Sequence, residues 1–369
     1  MRGGEKVLEA LCERFPDAPI YTIVHRRGSV SHAIESHPIH TSFVQRLPGG
    51  VGSYQRYLPI LPAAIERFDL RGYDLVLSTS HCVAKGVRVH PGSAHLCYCH
   101  TPMRYVWPAY DEYFGDGRLG VPGSWVMPLL ATWLRTWDVA SCTRVDSFAA
   151  NSANVAARIR RWYGRQARVI YPWVDTERFS PSSEDRRGGY DLILSALVPY
   201  KRIDTALEAY RGRRRELVVA GTGVDRDRLL RLAPPNVRFV GWLAPEETVR
   251  LMQGCRILIF PGEEDFGIVP VEAMACGKPV VALRRGGALE TVREGVTGLF
   301  FDRPTPAALR DALDRAEGIP WDGAAIRAHA LQFGRARFER EVDAWLRDEG
   351  VSETGVVQGP WDRSSAASA

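Results

Sequence analysis

The stretch from Gly262 to Ala282 constrains this chain more than any other. Arg256-Ile257-Leu258-Ile259-Phe260, just before it, is a short apolar run of strand type. Pro261 and Gly262 end that run. Pro270 suits the first turn of a helix, and Gly277 suits a left-handed C-terminal stop. Pro279 follows, and Val280-Val281-Ala282 reads as the next buried strand. The order is therefore strand, loop, short helix, strand. Phe266, Gly267 and Ile268 fall at the helix start, where backbone N–H groups have no partner inside the helix.

Such a helix start suits an anion. Free amides and the positive end of the helix dipole favour a phosphate, and Gly267 lets a ligand approach the backbone. Glu264 precedes the turn, and Glu272 lies one or two turns into the helix. A carboxylate is a poor phosphate ligand but a good acceptor for hydroxyls. A nucleotide sugar carries hydroxyls on both sides of its diphosphate, so Glu272 suits the ribose pair and Glu264 the sugar side. Taken alone, the stretch also reads as an ordinary helix-start loop with two solvated glutamates.

Glu264 and Glu272, with Phe266-Gly267 between them and Ala273-Met274-Ala275 after, resemble the motif of the retaining glycosyltransferases of family 4, also called group 1. The resemblance implies an α/β chain with the GT-B fold: two Rossmann-like, doubly wound parallel-sheet domains facing across a cleft. It runs from Gly3 to about residue 345.

The 369 residues suffice for two such domains. A net charge of +5, with both signs mixed, argues against a dedicated nucleic-acid binder and leaves room for local basic patches. The seven cysteines, at 12, 82, 97, 99, 142, 255 and 276, show no framework spacing and read as reduced thiols in the cytoplasm. Cys97 and Cys99 flank Tyr98 without a second pair of zinc spacing, and read as small buried hydrophobes. The sequence contains neither a secretory signal nor an apolar run of transmembrane length.

Read in order, Met1 to Lys6 opens directly onto a helical pattern from Val7 to Phe15. The family places a strand and a glycine loop before this helix. Gly3 and Gly4 match the loop and are expected near the donor, but the first strand is absent from this sequence. The expectation is that the native protein begins upstream of Met1. Strands are expected at Ile20–Val24, Ile39–Phe43, Tyr73–Ser80, Ala94–Cys99 and Ser147–Ser152. The fourth delivers His100 at its carboxyl end, where open parallel sheets bind ligands. A histidine capping the strand by hydrogen bonds is the alternative. The resemblance implies that His100 sits near the transferred sugar, with Arg104 and Tyr105 on the acceptor side.

Residues 106–137 hold Trp107, Tyr110, Tyr113, Phe114, Trp125, Trp133 and Trp137. They read either as a flap lining an acceptor groove or as the packing face of an amphipathic helix from Leu129 to Val139. The helix from Ala153 to Tyr163 carries Arg158, Arg160 and Arg161, with Arg165 and Arg168 nearby. It reads as a solvated face or as one resting on anionic lipid. The first domain is expected over 1–172, joined by a returning C-terminal helix at about 330–347. The second is expected over 173–329, with a linker-like stretch at Ser180 to Gly189 and a disordered tail over 348–369.

In the second half, Lys201 and Arg202 stand after a strand and could clamp a diphosphate. The family usually has an arginine five positions before this lysine; here that position is Ala196. Arg202 is the candidate substitute. Gly221 and Gly223 fit a loop beside the nucleotide, and Trp242 and Leu243 fit the edge that holds the base. Asp225 and Asp227 read as a helix cap, not a metal clamp.

The expected catalytic set is His100, Lys201 and Glu264. The expected donor set is Gly3, Gly4, Arg202, Gly221, Gly223, Trp242, Leu243, Phe266, Gly267, Ile268 and Glu272. The resemblance implies a metal-independent retaining transferase without a cofactor. Mannose from GDP-mannose is the leading donor, and a lipid-linked saccharide or polysaccharide the acceptor, at the cytoplasmic face of a membrane. A sugar-nucleotide epimerase of the same fold and an inactive nucleotide-sugar-binding scaffold are the alternatives.

Overall fold

The computed structural model describes residues 3–104, 106–107, 121–182 and 189–352, with the backbone alone for 121–127. Tyr105, Tyr110, Tyr113, Phe114, the Trp125 side chain and residues 353–369 lie outside the described residues; the first part of the expected disordered tail is ordered, with Asp348 ending a helix and Val351 buried against its last turn. The chain divides into two units, Met1–Pro172 with Phe338–Ala369, and Trp173–Arg337.

The first unit contains β1 (Ile20–Thr22), β2 (Ile39–Thr41), β3 (Leu75–Ser80), β4 (Ala94–Cys99), β5 (Ser147–Ala150) and β6 (Arg168–Val169). All pairings are parallel. The strands form two sheets, β1-β2 and β3-β4-β5-β6, with no ladder between them among the described residues. Side chains bridge that interval: Tyr21 Oη lies 3.1 Å from Tyr73 Oη, and their rings meet edge to face. β4 is buried along its whole length, which accounts for its small and apolar residues, Cys97 and Cys99 included. Its register pairs Ser80 with Cys99, so His81 and His100 leave the sheet side by side.

The helix Arg335–Asp348 begins in the second unit and packs, from Phe338 on, within the first. Trp345 Nε1 donates to Ser147 Oγ at 3.0 Å, Arg14 pairs with Asp343 at 3.0 Å, and the Phe338 ring meets that of Tyr98. The expected returning helix at about 330–347 begins later, and the chain before it is a separate helix. Gly323–Ala330 and Arg335–Asp348 are separate helices around a tight turn at Leu331–Phe333. Phe333 is drawn inward there, packing on Phe266 and His329 while its carbonyl accepts from Val174 N.

The second unit has one six-stranded parallel sheet of β7 (Tyr190–Leu194), β8 (Glu216–Ala220), β9 (Val237–Gly241), β10 (Leu258–Phe260), β11 (Val280–Leu283) and β12 (Gly298–Phe301). Their order is β12-β11-β10-β7-β8-β9. From β7 the chain winds one way through β8 and β9, then the other way through β10, β11 and β12. The order therefore reverses between β7 and β10, and in open parallel sheets the crevice at the carboxyl ends of such a pair is where ligands bind. A core of Ile193, Leu217, Val219, Ile259, Val281 and their helical neighbours holds these strands in place.

Candidate functional site

β7 and β10 end in the two loops that carry the sequence candidates. After β7 the chain forms a tight turn at Pro199–Lys201 and then the helix Ile203–Tyr210. After β10 come Gly262 and Glu264, then the helix Ile268–Ala275. The loops touch: a Cβ on Gly262 would lie 2.8 Å from Lys201 Cα and 2.8 Å from Tyr200 O. This contact forms an ion pair between Lys201 Nζ and Glu264 Oε1, the two side chains 12% and 24% exposed. Lys201 Nζ also lies 5.3 Å over the Tyr200 ring.

Gly267 is the N-cap of the helix Ile268–Ala275, with φ +85°. An L side chain resists that conformation, so glycine is what the turn requires. The helix is buried almost throughout, and Phe266 is core. Phe266 therefore offers a ligand its backbone and little of its ring. Glu272 sits on the helix's second turn and is 7% exposed, which makes it a buried carboxylate in an apolar helix and not a solvated one.

A third loop closes against this stretch. Gly287 N donates to Glu264 O at 2.8 Å, and a Cβ on Gly287 would collide with the Phe266 backbone. On the other side, Gly221 packs on Ser195 O and Gly223 on Leu197 O, while Gly221 N donates to Gly241 O at 2.7 Å. That bond brings the end of β9, and the exposed Trp242 after it, next to the glycine loop. Lys201, Gly221, Gly223, Glu264, Phe266, Gly267, Ile268, Glu272, Trp242 and Leu243 thus lie on the carboxyl-end loops of one sheet or on the helix that follows. Sequence reasoning missed Gly262, Gly286 and Gly287 as loop contacts. The paired glycines after β11 were the signal.

Arg202 stands on the same loop beside Lys201, but its side chain makes its contacts among other residues. It has φ +51° and caps the helix Ile203–Tyr210. Its guanidinium reaches Thr205 Oγ1 at 3.3 Å and Pro304 O at 3.5 Å, with Asp204 at 3.6 Å. Ala196, where the family pattern has arginine, is exposed. Asp225 departs from expectation too. It precedes the helix Arg226–Leu232 without a side-chain cap bond and instead holds Arg228 with both oxygens, at 2.7 and 2.6 Å. Among the described residues no cluster of His, Cys, Asp and Glu could hold a metal.

In the first unit, His100 stands at the end of β4, its N–H donating to Ser80 O at 2.8 Å. A Cβ on Gly4 would lie 3.3 Å from His100 Nε2, so the glycine at the first helix's start meets the histidine ring. Burial, with repulsion from His81 added, pushes the His100 pKa down to about 3. The ring is neutral at ordinary pH and can exchange hydrogen bonds without carrying charge. Arg104 is half-buried with partners of its own.

Two Rossmann-like α/β units, with loops converging at a sheet reversal, define the class. The chain is similar in structure to sucrose-phosphate synthase from Thermosynechococcus elongatus with a TM-score of 0.71, at 19% identity over 92% of this chain and 90% of that one. It is also similar to Anabaena HepE, solved with UDP and glucose, with a TM-score of 0.67, at 17% identity over 94% and 96%. This is the GT-B fold. Residues 176–328 match the family described as glycosyl transferases group 1, and residues 1–178 match glycosyltransferase family 4. A GDP-mannose-dependent alpha-(1-6)-phosphatidylinositol monomannoside mannosyltransferase of Mycobacterium tuberculosis is 32% identical over 261 residues, 59% of this chain and 67% of that one. A D-inositol 3-phosphate glycosyltransferase of Geodermatophilus obscurus is 32% identical over 235 residues, 54% of this chain and 51% of that one. The chain belongs to glycosyltransferase family 4. It spans about half the length of the inositol-phosphate relatives it matches.

Proposed function

We propose that this chain is a metal-independent, retaining glycosyltransferase that moves a hexose from a nucleotide-diphosphate sugar to a saccharide or lipid-linked acceptor. The supporting observation is the ion pair of Lys201 and Glu264 beside Gly267, at the point where the strand order reverses. In this reading the diphosphate lies against the amides at the start of the helix Ile268–Ala275 and Lys201 meets its charge. Glu264 takes hydroxyls of the sugar and Glu272 those of the ribose. The bond from the anomeric carbon to the diphosphate oxygen breaks. A bond from the acceptor oxygen forms on the same face, and the hydroxyl proton passes to the departing oxygen. Negative charge grows on that oxygen, so a cation held there in advance lowers the barrier. Lys201 and the helix amides supply the positive charge that a metal supplies elsewhere. His100, being neutral, serves as a hydrogen-bond partner for a sugar hydroxyl and not as a proton carrier.

GDP-mannose is the proposed donor, in line with the name of the mycobacterial relative. Seven free, buried cysteines support a cytoplasmic setting. Among the described residues no helix is long and apolar enough to cross a membrane. Arg160 and Arg161 on the helix Ala153–Tyr163 are exposed and supply a basic face for peripheral contact with anionic lipid. A thermal-shift screen of nucleotide sugars, followed by product analysis with and without an acceptor, tests the reading. The expected result is stabilisation by one donor and transfer with retained anomeric configuration. Epimer formation from donor alone, or tight binding without turnover, would replace it with the epimerase or the scaffold.

A further inference from the structure

Given that donor site, the helix amides offer partial charges and only one full cation stands beside them. The diphosphate of a nucleotide sugar carries two negative charges, and Lys201 supplies one positive charge, already shared with Glu264. Ala196 offers none, and Arg202 is turned to Asp204, Thr205 and Pro304. Two arginines, Arg284 and Arg285, stand on the third loop, whose glycines pack on Glu264 and Phe266. Arg284 is spent on a network of its own, with Asp302 at 2.6 Å and both oxygens of Glu294 at 2.8 Å. Arg285, the next residue, is exposed and makes no side-chain hydrogen bond or ion pair among the described residues.

The placement of Arg285 is fixed by its neighbours. Arg285 N donates to Leu283 O at 2.7 Å, which turns the chain sharply at the end of β11. Gly286, at φ +59°, is packed so that a Cβ there would lie 3.0 Å from Glu263 Cγ and collide with Glu264 O. Gly287 is bonded to Glu264 O. The backbone of Arg285 is therefore pinned to the rim of the loop that carries Glu264 and Gly267. The Arg285 side chain is exposed and its backbone is fixed, so it is free to take an anionic ligand at that rim, and an arginine fork matches phosphate oxygens.

We infer that Arg285 is the second diphosphate cation of this chain and takes over the role that an arginine at position 196 has in the family pattern. The inference rests on the donor site proposed above. Arg285 is a binding residue here: its guanidinium meets the phosphate farther from the nucleoside, on the side opposite Lys201.

Calorimetric titration of the full chain with GDP, UDP, GMP and UMP tests it. For whichever diphosphate binds, Arg285→Met is expected to weaken binding by roughly ten- to a hundred-fold, the worth of a hydrogen-bonded charge, and to leave the matching monophosphate nearly unchanged. Arg285→Lys should keep most of the affinity. Ala196→Arg placed in the Arg285→Met chain should restore diphosphate binding, because it returns a cation from the opposite loop. Equal affinity of Arg285→Met and the parent for the diphosphate overturns the inference, as does an equal loss for mono- and diphosphate, or failure of Ala196→Arg to restore any binding. If the parent chain binds neither diphosphate, the donor site itself is wrong and this inference falls with it.

Discussion

Two lysine–carboxylate pairs, one in each unit, use the same chemistry for different ends. In the first unit, Lys85 and Asp138 are 1% and 0% exposed, with Nζ 2.9 Å from Oδ1. Lys85 also donates to Asp138 O at 2.5 Å and Ser141 Oγ at 2.6 Å, and faces the rings of Trp137 and Tyr163. The other carboxylate oxygen accepts from Trp107 Nε1 at 2.8 Å and Tyr163 Oη at 2.7 Å. Burial disfavours the charged lysine, but the Asp138 charge prevails and the Lys85 pKa is held above its ordinary value. Every side of that pair is closed by protein, and it joins the helix Val121–Ala140 to the chain after β3. In the second unit, Lys201 and Glu264 keep part of their surface in solvent, beside a glycine turn and a helix start. A pair shut away from solvent by its own protein holds the fold, whereas a pair with an open side can change partners.

The largest expected effect strikes the closed pair. Asp138→Ala leaves Lys85 charged, buried and unpaired, and should cost about 3–5 kcal/mol of unfolding free energy. Chemical denaturation would measure it, and an unchanged midpoint would erase the contrast between the pairs. Next comes the open pair. Lys201→Ala should lower kcat/KM by about a hundred- to a thousand-fold, the usual loss of a charge-stabilising group. Its unfolding free energy should move by no more than about 1 kcal/mol. Glu272→Ala should likewise remove most turnover. Near-normal kcat/KM in either variant would break the assignment.

Smaller effects sharpen the comparison. His100 has a folded pKa of about 3 against an ordinary 6.5. As pH falls below 6.5 the unfolded chain takes up a proton there and the folded chain does not, until about pH 3. The His100 contribution to stability is therefore full above that window and lost on acidification through it. His100→Asn should flatten the acid side of a stability–pH curve, and an unchanged slope would show that the ring titrates freely. The smallest effect belongs to Arg202. Its exposed contacts are of the weak surface kind, so Arg202→Gly should leave kcat/KM within about five-fold. A collapse of turnover would return Arg202 to the donor site.

The sequence by itself determined the local framework of the site. Pro270, Gly267 and Gly277 dictate where the helix Ile268–Ala275 starts and stops, and apolar runs place β7, β10 and β11. The same holds for His100 at the end of β4 and for the family motif of Glu264 and Glu272. These are decisions among near neighbours in the chain, made by backbone dihedrals and apolar spacing, and near neighbours are visible in a sequence. Tertiary structure alone decided where the long charged side chains find their partners. Arg202 was the obvious substitute for the cation absent at Ala196, yet Pro304 and Asp204 hold it elsewhere. The loop of Arg285 is brought against Glu264 by the Gly287 bond, and Lys85 is closed in by Asp138 from another helix; neither contact is visible in the sequence. The direction of a flexible charged side chain is set by partners that lie far along the chain, and only folding brings those partners into reach.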